Sequence, residues 1–189
     1  MEGLLAAGAA GFTDDGIPLI DGAFVRRAME EAARLDTVLS FHEEDKTFIK
    51  ENGINHGAVS DRLGIYGSPA LAENSLVARD CMIALDTGAR IDIQHISSGP
   101  AVEMVRLAKK SGAKVGAITH YRKSPLTDLS DAVLLCGGQE GPMDRGSLAA
   151  KTGQLYLVDL LYQGYFERNE QQCLENRKKA IAAVVDKVY

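Results

Sequence analysis

Asp15, His42 and His95 are the side chains in this 189-residue chain best suited to chemistry. Each falls at or just past the C-terminal end of a run that reads as a β-strand. The runs are Gly11-Phe12-Thr13, followed by Asp14-Asp15-Gly16; Thr37–His42, TVLSFH; and Arg90–His95, RIDIQH. In parallel α/β folds that edge of the sheet is where sites are built. Two histidines and a carboxylate are good ligands for zinc or a similar ion. The plain alternative is that Asp15 caps a turn and that both histidines are ordinary ones.

The elements that must position these residues follow from the spacing of apolar side chains. Arg90–Thr119 organises the chain as strand, loop, helix and strand. Ser97-Ser98-Gly99-Pro100 carries a serine cap and a proline for a helix start. Val102, Val105, Leu107 and Ala108 form its apolar face, and Gly112 stops it after two lysines. Two strands joined through a helix imply parallel pairing with a right-handed crossover. Earlier, a helix is expected from about Ala23 to Leu35 with Phe24, Val25, Ala28, Met29 and Ala32 on one face. Glu43–Glu51 reads as a helical turn or two, and Asn52–Ser68 as a long glycine-rich loop of the kind that usually carries function. A helix from Ala70 to about Thr87 puts Leu71, Val77, Ala78, Met82 and Leu85 inward.

Later, Ala132–Cys136 reads as a buried strand and Gly137–Arg145 as a Gly-rich loop. Gly146 or Ser147 would cap a helix running to about Phe166, with Leu148, Thr152, Leu155, Leu157, Val158 and Leu161 in a wide apolar band. A last helix spans about Glu170–Val188, with Ala180, Ile181, Val184 and Val185 inward. The alternation makes the chain α/β with a mainly parallel sheet.

Composition narrows the function classes. A net charge of −5 argues against a nucleic-acid surface, which needs a basic stripe. No apolar run approaches a membrane span, and Met1-Glu2-Gly3 lacks the basic n-region of a signal peptide. Cys81, Cys136 and Cys173 are odd in number without metal-type spacing, so reduced thiols in a cytoplasmic protein are expected.

From Gly8 to about Ser98 the chain resembles the class I dihydroorotases. The matching segments are GFTDDGIPL, FHEED, INHGAVSDRLG, ENSLVARD and TGARIDIQHISS. The resemblance implies a TIM-barrel portion, a binuclear zinc site and chemistry on the dihydroorotate ring. It makes Asp15 the bridging metal ligand, His42 and His95 the histidines at two later strand ends, and Asn55 part of a loop over the substrate. The family's His-x-His pair, its aspartate base after the last strand, and the arginine and asparagine that grip the substrate carboxylate have no counterpart in this sequence. Without a closed ligand set and a base, hydrolysis is not expected.

From about Val105 onward the chain resembles the second half of a sugar-isomerase (SIS) domain of RpiR-like regulators. LAKKSGAKVGAIT, SPLTDLSDAVLL, EGPMDRGSLAAKTGQLYLVDLLY and ENRKKA carry that likeness. It implies phosphosugar binding near Ser97, Ser98 and Gly99, where backbone N–H groups at a helix start could hold a phosphate. The alternative is that Ser98 only caps the helix. That family's first phosphate loop has no counterpart, and no DNA-binding helix-turn-helix precedes this half.

Together these readings give one α/β domain over residues 1–189, dihydroorotase-like over 1–98 and SIS-like over 99–189. Its architecture would be a three-layer α/β/α sandwich on a five-stranded sheet, flavodoxin-like or Rossmann-like. The simplest account of such a join is an engineered chimeric scaffold without native activity. A zinc-dependent cyclic amidohydrolase and a phosphosugar-binding module are the alternatives. No cofactor is required, and Asp15, His42 and His95 would be vestigial ligands binding zinc weakly, because an open sheet spreads side chains that a barrel gathers. Edge strands and leftover apolar surface point to a homodimer.

Overall fold

The computed structural model describes residues 1–51, 53–136 and 148–184. The chain separates into two compact units, Met1–Val115 and Gly116–Tyr189.

The first unit runs α1 (Glu2–Ala6), β1 (Phe12–Thr13), α2 (Gly22–Arg34), β2 (Val38–Phe41), β3 (Ile54–Asn55), α3 (Ala58–Leu63), β4 (Gly67–Ser68), α4 (Leu71–Thr87), β5 (Arg90–Ile93) and α5 (Gly99–Lys110). Asp21 starts α2 by accepting hydrogen bonds from Ala23 N and Phe24 N, the usual role of an N-cap carboxylate. Val25, Met29 and Ala32, spaced by four and three residues, lie on one side of the helix and are buried. They meet Leu39 and Phe41 of β2 in the core of the unit. A fully buried side chain such as Met29 contributes about 1.5–3 kcal/mol. Phe24, expected on the same face, is 47% exposed. On α4 the buried set is Ala72, Leu76, Val77, Asp80 and Cys81, whereas Leu71 and Met82 are exposed. The buried face is therefore rotated from the expected one, and it takes in a carboxylate.

The sheet of this unit is parallel with strand order β1-β2-β5. Its register aligns Thr13 with Ser40 and Ser40 with Asp92. That row is polar and hydrogen-bonded: Ser40 Oγ donates to Asp92 Oδ2 at 2.6 Å, and Gln94 Nε2 reaches both Thr13 Oγ1 and Ser40 Oγ. Side chains alternate across a strand, so the row faces away from Leu39, Phe41 and the helices packed on them. A three-layer sandwich would bury apolar side chains on both faces; this sheet buries one. The five-stranded sheet is also corrected. Among the described residues the sheets have three, two and two strands: β1-β2-β5 and β3-β4 belong to this unit, and the third is separate because Gly116–Thr119 takes Ala132–Leu135 as its partner.

Glu43–Glu51, expected helical, holds only a 3-10 turn at Lys46–Phe48. The glycine-rich stretch after it is built rather than open. β3 and β4 pair in parallel, and α3 starts where Ser60 Oγ both accepts from Gly57 N and donates to Gly57 O. A Cβ at Gly67 would lie 2.4 Å from His56 Cα and 2.8 Å from His56 N. Backbone cannot yield as a side-chain tip can, so Gly67→Ala is expected to destabilise the unit by about 3 kcal/mol. Urea unfolding checks this; an unchanged midpoint would show that the β3–β4 approach is loose.

The second unit runs β6 (Gly116–Thr119), α6 (Pro125–Leu129), β7 (Ala132–Leu135), α7 (Leu148–Arg168) and α8 (Glu170–Val184). β6 and β7 pair in parallel, Gly116 opposite Ala132 through Thr119 opposite Leu135. Ser124 caps α6 by accepting from Thr127 N, with Pro125 as its first residue. The band expected to turn inward on α7 is open: Leu148, Leu155, Val158 and Leu161 are all exposed, as is Ile181 on α8. The Gly137–Arg145 loop, the cap at Gly146 or Ser147 and the last helical positions Val185–Val188 lie outside the described residues. Among the described residues no helix is long and apolar enough to cross a membrane.

Candidate functional site

The register of β1-β2-β5 sets the site. Past the last paired residues, Asp14 N still donates to Ser40 O and Gln94 N to Phe41 O. The segments that follow the three strands therefore leave the sheet side by side. His42 is central. Its Nδ1 lies 2.9 Å from His95 Nε2 and 3.8 Å from Asp15 Oδ1, and its Nε2 lies 3.5 Å from Glu44 Oε2. The two imidazoles meet edge to face, with centroids 4.7 Å apart. The ligand candidates do not spread as an open sheet was expected to spread them. His42 stands on the middle strand, and Asp15 and His95 reach it from either side.

Asp14 explains the alignment. Its Oδ1 accepts from His42 N at 2.7 Å and its Oδ2 from Leu19 N at 3.0 Å. This carboxylate ties the end of β1 to the end of β2 and holds the loop that follows β1. Lys46 Nζ donates to Gly16 O in the same loop. Of the two adjacent aspartates, Asp14 is used by the backbone. Asp15 keeps an exposed carboxylate beside His42.

Beneath this edge lies a charged group that sequence reading missed. Asp80, with no exposed surface, accepts from Arg79 Nε at 2.6 Å and Arg79 Nη2 at 2.9 Å. Arg79 Nη1 also donates to Ile20 O. Glu43 is 4% exposed, and among the described residues its Oε1 has no hydrogen-bond partner. Burial, then the neighbouring Asp80 charge, push the Glu43 carboxyl up to about 9. Burial also raises Asp80, against the opposing pull of Arg79, and it pushes the Cys81 thiol up to about 11. The folded chain thus keeps the Glu43 proton over a range in which the unfolded chain, near 4.5, has lost it. Stability is full below about 4.5 and is lost as pH rises toward about 9, at up to about 1.4 kcal/mol per pH unit for one proton. Glu43→Gln should flatten that slope in urea midpoints taken at pH 5.5, 7 and 8.5 on chelator-treated protein. An unchanged slope would show that Glu43 is ionised in the fold.

The serine segment expected to hold phosphate already carries an anion. Glu73 of α4 accepts from Ser97 N with both carboxylate oxygens at 3.1 Å, from Ser98 N at 2.9 Å and from Ser97 Oγ at 2.5 Å. Ser98 stands at the N-cap of α5, but its hydroxyl donates to Asn74 Oδ1 instead of capping. Gly99 is the first residue of α5. The N–H groups of Ser97 and Ser98 that would meet a phosphate are thus taken by Glu73. Asn55, expected over a substrate, lies in β3, within the separate two-stranded sheet.

Glu44 was also missed, although its signal was available. In an extended chain residues i and i+2 share a side, so His42-Glu43-Glu44 puts a carboxylate on the histidine's side and sends Glu43 inward. Among the described residues no group of three or more His, Cys, Asp or Glu side chains forms a ready metal cage. The donors of Asp15, His42 and His95 are nonetheless of the right types. Ligand atoms in a tetrahedral zinc site stand about 3.3 Å apart at bond lengths near 2.0–2.1 Å. The separations of 2.9 and 3.8 Å lie on either side of that value.

Comparison with known proteins follows the same stretch. Residues 1–101 match the family model described as dihydro-orotase-like. Dihydroorotase from Clostridioides difficile (strain 630) is 55% identical over 68% of this chain and 30% of its own length. Dihydroorotase from Lactococcus lactis subsp. lactis (strain IL1403) is 50% identical over 60% of this chain and 27% of its own. A solved structure, D-hydantoinase (dihydropyrimidinase) from Thermus sp., superposes with a TM-score of 0.43 at 18% identity, covering 62% of this chain and 28% of that one. The chain thus spans about three tenths of the length of the curated relatives it matches. A span of 68% is longer than residues 1–101 and so runs past the Ser98–Val105 seam. These matches overturn the expectation of an engineered scaffold: the likeness to dihydroorotases does not stop where a recombination joint would put its end.

Proposed function

Because the chain belongs to the dihydro-orotase-like family, we propose that its first unit carries part of the metal-assisted site of a cyclic-amide hydrolase. The observation that supports this most is the meeting of Asp15, His42 and His95 past the ends of β1, β2 and β5. The relatives named dihydroorotase support the same reading.

In this reading Asp15, His42 and His95 hold the ion. His42 turns its Nε2–H toward the Glu44 carboxylate, which leaves the Nδ1 lone pair directed at the space between Asp15 and His95. Asp14 serves the backbone, each of its oxygens accepting an N–H group, and it holds His42 at the height of Asp15. The polar row of Thr13, Ser40, Asp92 and Gln94 lies on the sheet face opposite the core. A divalent ion held by Asp15, His42 and His95 would supply Lewis-acid polarisation of the scissile amide.

The test is ring opening of dihydroorotate by zinc-treated protein, followed in the ultraviolet. Because the His-x-His pair and the aspartate base have no counterpart in this chain, only slow turnover is expected, above the zinc-only background and falling about a hundredfold in His95→Ala. Wild-type protein that binds zinc but shows no turnover, or a variant as fast as wild type, would contradict the hydrolase reading.

A further inference from the structure

We propose that Glu73 is a positioning residue for His95, acting from α4 through the backbone of Ser97 and Ser98. The inference rests on the reading of His95 as a site residue, and it adds the means by which His95 is held.

His95 has φ +37°, in the left-handed region that side chains other than glycine rarely adopt. A residue stays there only when its flanks leave no choice. Both flanks of His95 are fixed. On one side Gln94 continues the sheet through its N–H to Phe41 O, while its side-chain amide bonds Thr13 and Ser40. On the other side the only charged partner of Ser97 and Ser98 among the described hydrogen bonds is Glu73, which accepts from two successive N–H groups and one hydroxyl. Asn74, next in sequence, holds the Ser98 hydroxyl. Hydrogen bonds to a carboxylate are stronger than neutral ones, and two consecutive N–H groups turned to one side form an anion-binding concavity. The chain fills that concavity with its own side chain. Glu73 thereby fixes the peptide planes two residues beyond His95 and confines the ring to His42.

The arrangement explains why the Ser97 and Ser98 N–H groups are not open to a phosphate, and why a glutamate in the first turn of α4 turns to a neighbouring loop. Removing the carboxylate frees the Ser97 and Ser98 N–H groups. His95 then relaxes out of the left-handed region, and its Nε2 leaves His42 Nδ1.

The experiment compares wild type, Glu73→Gln and Glu73→Ala by nitrogen-15 NMR of the imidazoles in metal-free protein at fixed pH. In wild type, His42 and His95 are expected to show one locked, complementary pair of tautomers. Glu73→Gln, with one acceptor oxygen in place of two, should loosen the lock while keeping the fold. Glu73→Ala should lose it, and added acetate, which refits the vacated donors, should restore it. Zinc affinity should fall about 10- to 100-fold in step. Locked tautomers in both variants would overturn the inference, as would loss in Glu73→Ala that acetate leaves unchanged. Failure of Glu73→Ala to fold leaves the Glu73→Gln spectrum to decide, with an unloosened lock overturning the proposal. If the lock behaves as stated but no variant binds zinc, the positioning role stands and the metal reading falls. If wild type and variants bind zinc equally with unchanged tautomers, the metal reading stands and the positioning role falls.

Discussion

Asp80→Ala is expected to lower the stability of the first unit by about 3–5 kcal/mol, the usual effect of breaking a buried ion pair. Asp80 has no exposed surface and takes two hydrogen bonds from Arg79. Its removal leaves a largely buried guanidinium facing Glu43 across an empty space. Part of the response is a change at Glu43, which loses the neighbouring charge that helps keep it protonated. Asp80→Asn should do less harm, because the amide oxygen still accepts from Arg79. Urea unfolding of the two variants separates the cases, and equal small losses would mean that water reaches the pair.

His42→Ala is expected to do the reverse: a small change in stability and a loss of at least about a hundredfold in zinc affinity, roughly 2.7 kcal/mol. The His42 side chain is 18% exposed, so some packing goes with it, but it lies past the end of β2 and outside the core cluster of Val25, Met29, Ala32, Leu39 and Phe41, and the loss stays well below that of Asp80→Ala. It stands between Asp15, His95 and Glu44, and without it the other two candidates have no common neighbour. A variant that loses stability as Asp80→Ala does would show that His42 is a structural residue.

The contrast between these residues shows what the sequence could carry. The strands that lead to His42 and His95 were readable from apolar alternation, and Asp15 from its place after a short strand. Their meeting was not, because pairing of β2 with β5 joins positions about fifty residues apart and no local pattern records it. Helix faces were readable only to within a rotation. Phe24 and Met82 fit an apolar spacing yet are exposed, while Asp80 sits in the core because Arg79 beside it supplies the counter-charge. Sequence reading took Ser97 and Ser98 as open donors, since the glutamate that fills them lies two dozen residues earlier. The sheet was overcounted because each strand looked fit for a single sheet, whereas the hydrogen bonds close within β1-β2-β5 and β6-β7 separately.

Calorimetric titration of chelator-treated protein with zinc tests the central claim, that Asp15, His42 and His95 form one ligand set. One site per chain is expected, with a Kd of about 1 μM, or −8.2 kcal/mol, weakened by Asp15→Ala and lost with His42→Ala or His95→Ala. Absence of binding by the wild-type chain, or binding that all three substitutions leave unchanged, would contradict it.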